Sequence, residues 1–384
     1  MGSDALAKIV ESRKVIITAG AGGVGKTTTA AAIAVAAAKR GRRVLCLTID
    51  PARRLAESLG LETMSTEASR VENSRFEAAG IELKGELTAM MLDTKRTFDE
   101  FVHKHSSTPE KAERLLGNKL YQYMSTSLAG TQEYMAMEKL VSVRADPRYD
   151  LVVLDTPPTA NALDFLDAPD RLVGMIDSAA VKWMIEAFQS TGKLSLNILA
   201  RSAAAVLRGM AKITGTGFLE ALAEFLGMLN DLFGGFRQRA EMVKRELRSP
   251  EVAFVLVTSP SPPSIQEALF FAERLGEHGM PRGGFVVNRF HVPPAFDEEA
   301  PSEEAIAAAL SARGLTLEDE APPRVRRAHA DAHELAALDA LHVRALDGVV
   351  AEGVPLVRLA ALSHDVYSLP LLDQIAESLM SGGV

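Results

Sequence analysis

Apolar residues gather in short continuous runs at wide spacing along the chain, and these runs predict β-strands. Because the runs do not alternate with polar residues, each predicted strand is expected to be buried on both faces. The predicted strands lie within Lys14–Ala19, Arg43–Ile49, Leu87–Leu92, Leu151–Leu154, Val252–Val257, Gly284–Val287 and Pro355–Leu359. Helical patterns separate several of them, so the sequence predicts an α/β fold with a doubly wound, mostly parallel sheet.

Two stretches, at about 95–145 and 172–248, carry helical patterns and no strand candidate. In the second, Leu, Phe and Met residues recur at intervals of three and four, which indicates helices with an apolar face. We interpret this stretch as an α-helical subdomain inserted between two strands. One hypothesis is that it packs its own core. The other is a groove for a hydrophobic client helix, which flexible methionines such as Met184 and Met210 would suit.

The predicted organisation is therefore a core that is interrupted twice. The core comprises residues 1–95, 146–171 and 249–384, and the helical segments are 96–145 and 172–248. In the last part of the core, the acidic segment Phe296–Glu304 predicts a loop that leads into further helices.

The composition is that of an ordinary globular protein. Of the 384 residues, 47% are hydrophobic and 24% are charged, so the chain can form a full core. The formal net charge of −8 argues against nucleic acid as a partner, since binding it favours a basic face. The single cysteine, Cys46, lies within a predicted buried strand, which excludes a disulfide or a cysteine-based metal site within one chain.

The chain shows no pattern typical of export or membrane insertion. Its first residues lack the basic and apolar regions of a signal peptide, and no uninterrupted apolar stretch of about 18 residues occurs. We therefore expect a cytoplasmic protein.

A glycine-rich loop follows the first predicted strand and precedes an Ala-rich helical pattern from Thr28 onward. It matches the phosphate-binding pattern G-x-x-x-x-G-K-[ST], in which glycines let backbone N–H groups approach an anion at a helix N-terminus. We expect Lys26 to reach the β- and γ-phosphates and the Thr27 hydroxyl to bind Mg²⁺. The predicted nucleotide-binding residues are Gly20, Ala21, Gly22, Gly23, Val24, Gly25, Lys26, Thr27 and Thr28. The sequence thus predicts a protein that binds a nucleoside triphosphate.

Two aspartates follow predicted strands. Asp50 comes after the second strand, where its carboxylate would orient or deprotonate the attacking water, or organise the water shell of magnesium. Asp155 follows four apolar residues, which is the Walker B pattern, so it is expected to hold the metal directly or through water. The alternative for either residue alone is a helix cap or a turn.

Three motifs together resemble those of the arsenite-pump and tail-anchored-protein-targeting ATPases, the ArsA/Get family within the deviant Walker A group. They are Gly22–Thr28, Thr48–Ala52 and Asp155–Thr159. The resemblance implies ATP and Mg²⁺ as ligands, Asp50 as the residue that activates water, and residues 155–159 as a second switch. It also implies that Asn288, in Val286–Arg289 after a late strand, reads adenine.

The same resemblance implies a dimer that couples ATP hydrolysis to conformational change, with a hydrophobic client helix or a membrane protein as partner. Three functions stay open: handling or targeting of hydrophobic protein segments, energising an anion or metalloid efflux pump, and an ATP-dependent dimerisation switch with little turnover. The pump is disfavoured because soft As(III) requires several thiolates and the chain has one cysteine.

The chain departs from the family pattern at position 21, where Ala21 replaces the signature lysine that reaches a dimer partner's phosphates. Slow hydrolysis, another cation such as Arg53 or Arg54, or a heterodimer with a lysine-bearing paralogue would each be compatible with this change. A weaker signal is the pair His329 and His333, whose spacing suits a metal, although a solvated polar helix face is the favoured interpretation.

Overall fold

A computed structural model provides the structure of the protein. It describes residues 5–49, 54–61, 64–127, 131–156, 162–176, 225, 228, 238–294, 301–314, 321–351 and 353–384.

The described part of the chain forms a sheet of eight strands in the order β3-β4-β2-β5-β1-β6-β7-β8. The strands are β1 (Val15–Ala19), β2 (Arg43–Thr48), β3 (Ser69–Arg70), β4 (Glu86–Met91), β5 (Leu151–Asp155), β6 (Val252–Thr258), β7 (Arg282–Phe290) and β8 (Leu356–Ala360). The neighbours from β2 to β8 pair in parallel, and β3 pairs with β4 in the antiparallel sense. This confirms the predicted α/β fold and its mostly parallel sheet.

Helices occupy most of the described chain between the strands. They are α1 (Ala5–Ser12), α2 (Lys26–Lys39), α3 (Arg54–Ser58), α4 (Asn73–Ala78), α5 (Thr94–His105), α6 (Pro109–Gly117), α7 (Lys119–Ser127), α8 (Thr131–Arg144), α9 (Ala162–Ile176), α10 (238–247), α11 (Pro262–Glu277), α12 (Glu303–Ala312), α13 (Ala321–Val343), α14 (Asp347–Ala351) and α15 (Leu369–Ser381). A 3-10 turn, Arg344–Leu346, joins α13 to α14.

The chain forms two compact units. The first comprises Met1–Ala89, Tyr149–Ala160 and Pro250–Val384, and the second comprises Met90–Arg148 and Asn161–Ser249. The finer division predicted from the sequence stays a prediction.

The core of the first unit lies against the sheet. Every residue of β1, β5 and β6 is buried, as the continuous apolar runs predicted. Helix α2 packs against β2 and α15, and its alanines from Ala30 to Ala38 are almost completely buried. Alanine combines high helix propensity with a small side chain, so it allows this close approach. The last turn of α2 is tied to α15, where Lys39 contacts Asp373 at 2.6 Å.

The second unit has its own apolar cluster, which includes Phe101, Leu115, Tyr121, Tyr134 and Phe225. In the structure, the stretch at about 95–145 contains helices α5 to α8. Of the predicted insertion at 172–248, residues 177–224, 226–227 and 229–237 lie outside the described residues, so the client-groove hypothesis stays untested.

Several boundaries differ from the prediction. Helix α2 begins at Lys26 rather than Thr28 because the loop closes at Gly25, which adopts a left-handed conformation. Glu303 and Glu304, expected in an acidic loop, form the first turn of α12, which is capped by the Ser302 hydroxyl. Acidic residues favour such a turn because they complement the helix dipole.

None of the helices in the described part of the chain has the length and apolar character needed to cross a membrane.

Asp150, which directly precedes β5, connects the starts of β2 and β5 through Arg43. Its carboxylate accepts hydrogen bonds from the Arg43 guanidinium at 2.7 and 3.1 Å and from the Arg43 backbone N–H at 2.9 Å. The side-chain hydrogen bond from Arg43 is the main cause that lowers the pKa of Asp150 to about 2. Because the side chain is 39% exposed, solvent screening limits the stabilisation to about 1 kcal/mol.

We therefore expect Asp150→Asn to be about 1 kcal/mol less stable than the wild type in urea at pH 7. A lowered carboxyl pKa stabilises above the unfolded value of about 3.9 and stops doing so as pH falls toward the folded value. The difference between the two proteins should thus shrink between pH 4 and pH 2. A difference that stays constant over this range would contradict the assignment.

Candidate functional site

The candidate site lies at the carboxyl edge of the sheet in the first unit. Strand β1 sits between β5 and β6, and parallel pairing brings the ends of all three strands to the same edge. The register pairs Thr18 with Asp155, so the loop after β1 begins beside that aspartate. In parallel sheets ligands bind at this edge, which is where the sequence placed the phosphate-binding loop.

The backbone of the loop requires glycine at three positions. A Cβ at Gly20 would meet the Val257 carbonyl oxygen at 2.0 Å, so β6 approaches the loop too closely for any side chain. Gly23 and Gly25 have positive φ values of 77° and 95°, which disfavour other residues. The loop thereby turns directly into the N-terminus of α2, which is the arrangement that favours an anion.

Lys26, the first residue of α2, is 6% exposed, and its ammonium donates to the Ala21 carbonyl oxygen at 2.7 Å. The side chain therefore lies over the loop rather than extending into solvent. An ammonium has three N–H donors and no acceptor, so it suits contact with phosphate oxygens.

Asp155 is completely buried at the end of β5, and the Thr48 hydroxyl donates to its Oδ2 at 3.0 Å. The Thr156 hydroxyl donates to the Thr18 carbonyl oxygen at 2.7 Å, which ties the residue after Asp155 to β1. Burial, and then the charge of Asp155, raise the pKa of the Cys46 thiol, so Cys46 stays protonated. This agrees with its predicted packing role.

The donor set at this edge fits magnesium. Thr27 offers a hydroxyl and Asp155 a carboxylate, and hard divalent cations prefer oxygen ligands. Asp50, the third predicted metal ligand and the predicted catalytic residue, lies outside the described residues, as does Arg53. The residue before Asp50 is described: the Ile49 N–H donates to the Asp155 carbonyl oxygen at 3.2 Å, so the chain leaves β2 beside β5.

A cavity of about 360 Å³, here called the loop cavity, opens in front of α2. Residues of the loop and first helical turn that line it are Gly23, Gly25, Lys26, Thr27 and Thr28. The charged residues that line it from elsewhere in the first unit are Arg54, Glu57, Arg289 and Asp365. Three cationic side chains, those of Lys26, Arg54 and Arg289, therefore line the same cavity as the glycine-rich loop.

A second cavity of about 410 Å³, here called the β7–β8 cavity, extends from Gly25 and Thr28 along the ends of β7 and β8. Its lining includes Asn288, Arg289 and the segment from Leu359 to Val366. Arg289 and Asp365 line both cavities. Two adjoining spaces at the same loop suit a ligand with a phosphate end and a larger organic end.

Asn288 lines the β7–β8 cavity. Both the nitrogen and the oxygen of its side-chain amide form hydrogen bonds with the protein. Its Nδ2 donates to the Val24 carbonyl oxygen at 2.9 Å, and its Oδ1 accepts from the Arg289 N–H at 3.0 Å. The predicted contact with adenine therefore stays a prediction, and the structure adds a link between β7 and the loop.

Sequence reasoning missed several residues of this region. Thr48 and Thr156 belong to the motifs around Asp50 and Asp155, but their hydroxyl contacts depend on strand pairing across 107 and 138 residues of sequence separation. Arg289 stands beside the predicted Asn288, and its positive φ of 60° carries no signal in the sequence. Asp365 follows β8 and has no motif.

His329 and His333 lie on α13 with ring centroids 4.6 Å apart. Three of their ring nitrogens are buried without a hydrogen-bond partner among the described residues, which differs from the solvated face expected. In the described ranges no cluster of three His, Cys, Asp or Glu side chains could hold a metal.

The known proteins that this chain resembles are ATPases. The profile of a family described as Anion-transporting ATPase matches residues 13–308, which include the loop, Asp50, Asp155 and Asn288. The chain is 26% identical to ATPase GET3 of Malassezia globosa over 290 residues, or 74% of this chain and 75% of that protein.

Two further relatives match over shorter stretches. A candidate arsenical pump-driving ATPase of Halobacterium salinarum is 30% identical over 168 residues, or 44% of this chain and 26% of that protein. ATPase get3 of Aspergillus terreus is 29% identical over 158 residues, or 41% of this chain and 43% of that protein. The matched part of the chain thus spans about a quarter of the Halobacterium protein and less than half of the Aspergillus protein.

The loop geometry predicts different costs for two alanine substitutions. Gly23→Ala meets no atom within 4 Å and should cost only the strain of a positive φ, about 1 kcal/mol. Gly25→Ala has the same strain, and its Cβ would also meet Asn288 Nδ2 at 2.2 Å, which would displace that side chain from Val24. We expect a further loss of about 1 kcal/mol or more in urea unfolding without nucleotide. Equal losses for the two variants would contradict the link through Asn288.

Proposed function

The chain belongs to the anion-transporting ATPase family, and on that premise we propose that it binds Mg·ATP at the loop and hydrolyses it to ADP and phosphate. The observation that carries the proposal is the loop cavity, in which the N-terminus of α2, Lys26 and Thr27 line one concave space. Backbone N–H groups at a helix start, with a lysine and a hydroxyl, are the donors that a triphosphate and its metal require.

Within this proposal, Gly20 to Thr28 hold the phosphates, and Lys26 exchanges its bond with Ala21 for the β- and γ-phosphate oxygens. Thr27 and Asp155 are the residues that would hold magnesium, which supplies charge neutralisation to the phosphates when bound. Asp50 orients the attacking water and accepts its proton. The water oxygen bonds to the γ-phosphorus as the bond to the bridging oxygen breaks, and ADP leaves with those electrons.

The β7–β8 cavity takes the nucleoside in this proposal. Asn288 lines this cavity, and its side-chain amide has donor and acceptor atoms to offer to adenine. Both atoms have protein partners in the present structure, so contact with adenine requires one of these bonds to be exchanged.

For the biological role, we propose a cytoplasmic dimer that handles or targets hydrophobic, tail-anchored-like protein segments. Two relatives are named ATPase GET3, and the match to one of them covers about three quarters of both proteins. The metalloid pump is the weaker alternative, although one relative carries that name. Cys46 is the one cysteine of the chain, and its thiol is buried within β2, where burial raises its pKa and keeps it protonated.

Ala21 favours a second candidate, a switch in which ATP drives dimerisation with little turnover. An activating cation delivered to the transferred phosphate accounts for several orders of magnitude in related phosphoryl-transfer enzymes. Position 21 lacks a cation, and the side chain of Ala21 packs against the core of the first unit.

The mass of the purified protein in solution, with and without Mg·ATP, separates the monomer from the dimer on which both candidates depend. If ATP turnover rises when a hydrophobic helix is added and does not change with arsenite, the role in handling hydrophobic protein segments is supported. A rise with arsenite alone would support the pump.

The catalytic assignment predicts two distinct defects. Lys26→Ala should weaken ATP binding by roughly tenfold or more and abolish phosphate release, because it removes a charged contact to the phosphates. Asp50→Asn should bind ATP within roughly threefold of the wild type and lower kcat roughly 100-fold, because the amide cannot accept the proton. Calorimetric titration and a phosphate-release assay measure the two quantities. A Lys26→Ala protein with wild-type affinity and turnover would overturn the proposed site.

A further prediction concerns position 21. If the missing cation limits turnover, Ala21→Lys should raise kcat roughly tenfold or more at protein concentrations where the dimer forms. If this increase in kcat depends on protein concentration, the new lysine acts across the dimer; if it does not, the lysine acts within its own chain. An unchanged kcat would show that another cation already serves this role or that hydrolysis is limited elsewhere.

A further inference from the structure

We propose that Arg289 binds the β- and γ-phosphates of the nucleotide from within the same chain, and that Asn288 positions it by joining its backbone to the loop. The inference rests on the proposed ATP site and adds a residue to it.

The backbone of Arg289 is held in a costly conformation. Its φ of 60° makes it the one residue other than glycine with a positive φ in the described part of the chain. Such a conformation costs on the order of 1–2 kcal/mol and persists where the surrounding structure enforces it. The pairing of β7 with β8 is irregular between Val287 and Phe290, so the strand is distorted at this residue. Strain of this kind is common at functional sites.

Asn288 connects that strained residue to the loop. Its Oδ1 accepts the Arg289 N–H, and its Nδ2 donates to the carbonyl of Val24, which precedes the last glycine of the loop. Gly25 leaves room for this contact, since a Cβ there would overlap Asn288 Nδ2. The position of Arg289 is thus fixed relative to the backbone that cradles the phosphates.

The charges around the loop cavity leave Arg289 available for an anion. The cavity is lined by Lys26, Arg54 and Arg289, and by two carboxylates, Glu57 and Asp365. Lys26 is nearly buried over the loop, whereas Arg289 is exposed and forms no ion pair within the described residues. A guanidinium offers five donors in a planar fork and binds phosphate oxygens in pairs, which a buried ammonium cannot do.

Because Arg289 lines both cavities, contact with the base is the competing arrangement. A guanidinium stacked on adenine would contribute equally to ATP, ADP and AMP. A contact with the outer phosphates would contribute most to ATP and least to AMP, so the nucleotide series separates the two.

The test uses Arg289→Gly in the full chain. Glycine removes the side chain and also relieves the positive φ, so the variant should be at least as stable as the wild type in urea. We expect its affinity for Mg·ATP to fall roughly tenfold or more, with a loss for AMP of at most about twofold. The control is Arg313→Ala, an exposed arginine at the end of α12, which should leave all three affinities unchanged.

Two results would overturn the proposal: ATP affinity in Arg289→Gly equal to the wild type, or an equal loss for ATP, ADP and AMP. Failure of the ATP site itself is recognised separately, because the wild type would then bind no ATP and Lys26→Ala would be indistinguishable from it.

The positioning role of Asn288 is tested by a double-mutant cycle. Asn288→Ala should cost more ATP affinity in the wild type than in the Arg289→Gly background, because the part that acts through Arg289 is already lost there, whereas the proposed contact with adenine is present in both. If Asn288→Ala costs the same in both backgrounds, Asn288 acts on the ligand directly and its proposed positioning role is wrong.

Discussion

The parallel pairing of β1 with both β5 and β6 is the constraint on which the candidate site depends. Pairing Thr18 with Asp155 and Ala19 with Leu256 brings the ends of β1 and β5 within one residue of each other, while β6 continues two residues further, to Thr258. The loop after β1 must then pass between its neighbours. It does so because Gly20 has no side chain to meet the Val257 carbonyl. Hydroxyl groups of Thr18 and Thr156 bond across β1 and β5, which fixes the two strand ends relative to each other.

The sequence predicted the strands of this sheet because their burial on both faces leaves a strong pattern. Each of the seven predicted runs contains or overlaps a strand of the structure, and β5 and β6 differ from the prediction by one residue at most. What the sequence missed carries little pattern. Strand β3 has two residues, both exposed, so it leaves no apolar run in the sequence. Its extended backbone is stabilised by antiparallel pairing with β4 at the edge of the sheet. Helix α1 buries Leu6, Ala7 and Val10 on one face, but its eight residues are fewer than the window of about 11–18 residues over which a helical period is recognised.

For the candidate site, the sequence supplied the chemistry and the structure supplied the contacts. The loop pattern identified Lys26 and Thr27, and the strand ends identified Asp155, because these residue types have fixed roles in phosphate and metal binding. The partners of those residues come from distant strands. Thr48 reaches Asp155 only because β2 pairs with β5, and Asn288 reaches Val24 across 264 positions of the chain. The backbone angle of Arg289 arises from the distorted end of β7, which no local pattern encodes.

The distribution of charge gives a reason for a second cation near the loop. Asp155 is fully buried, and its Oδ2 accepts a hydrogen bond from the Thr48 hydroxyl, so this carboxylate lies in a poorly screened interior. A triphosphate placed beside it requires compensating positive charge from the protein or a metal. Lys26, at the start of α2, supplies one positive charge. Position 21 supplies none, since the short side chain of Ala21 packs against the core. Arg289 lines the same cavity from the end of β7, and its strained backbone is explained if the cost of that conformation is offset by phosphate binding.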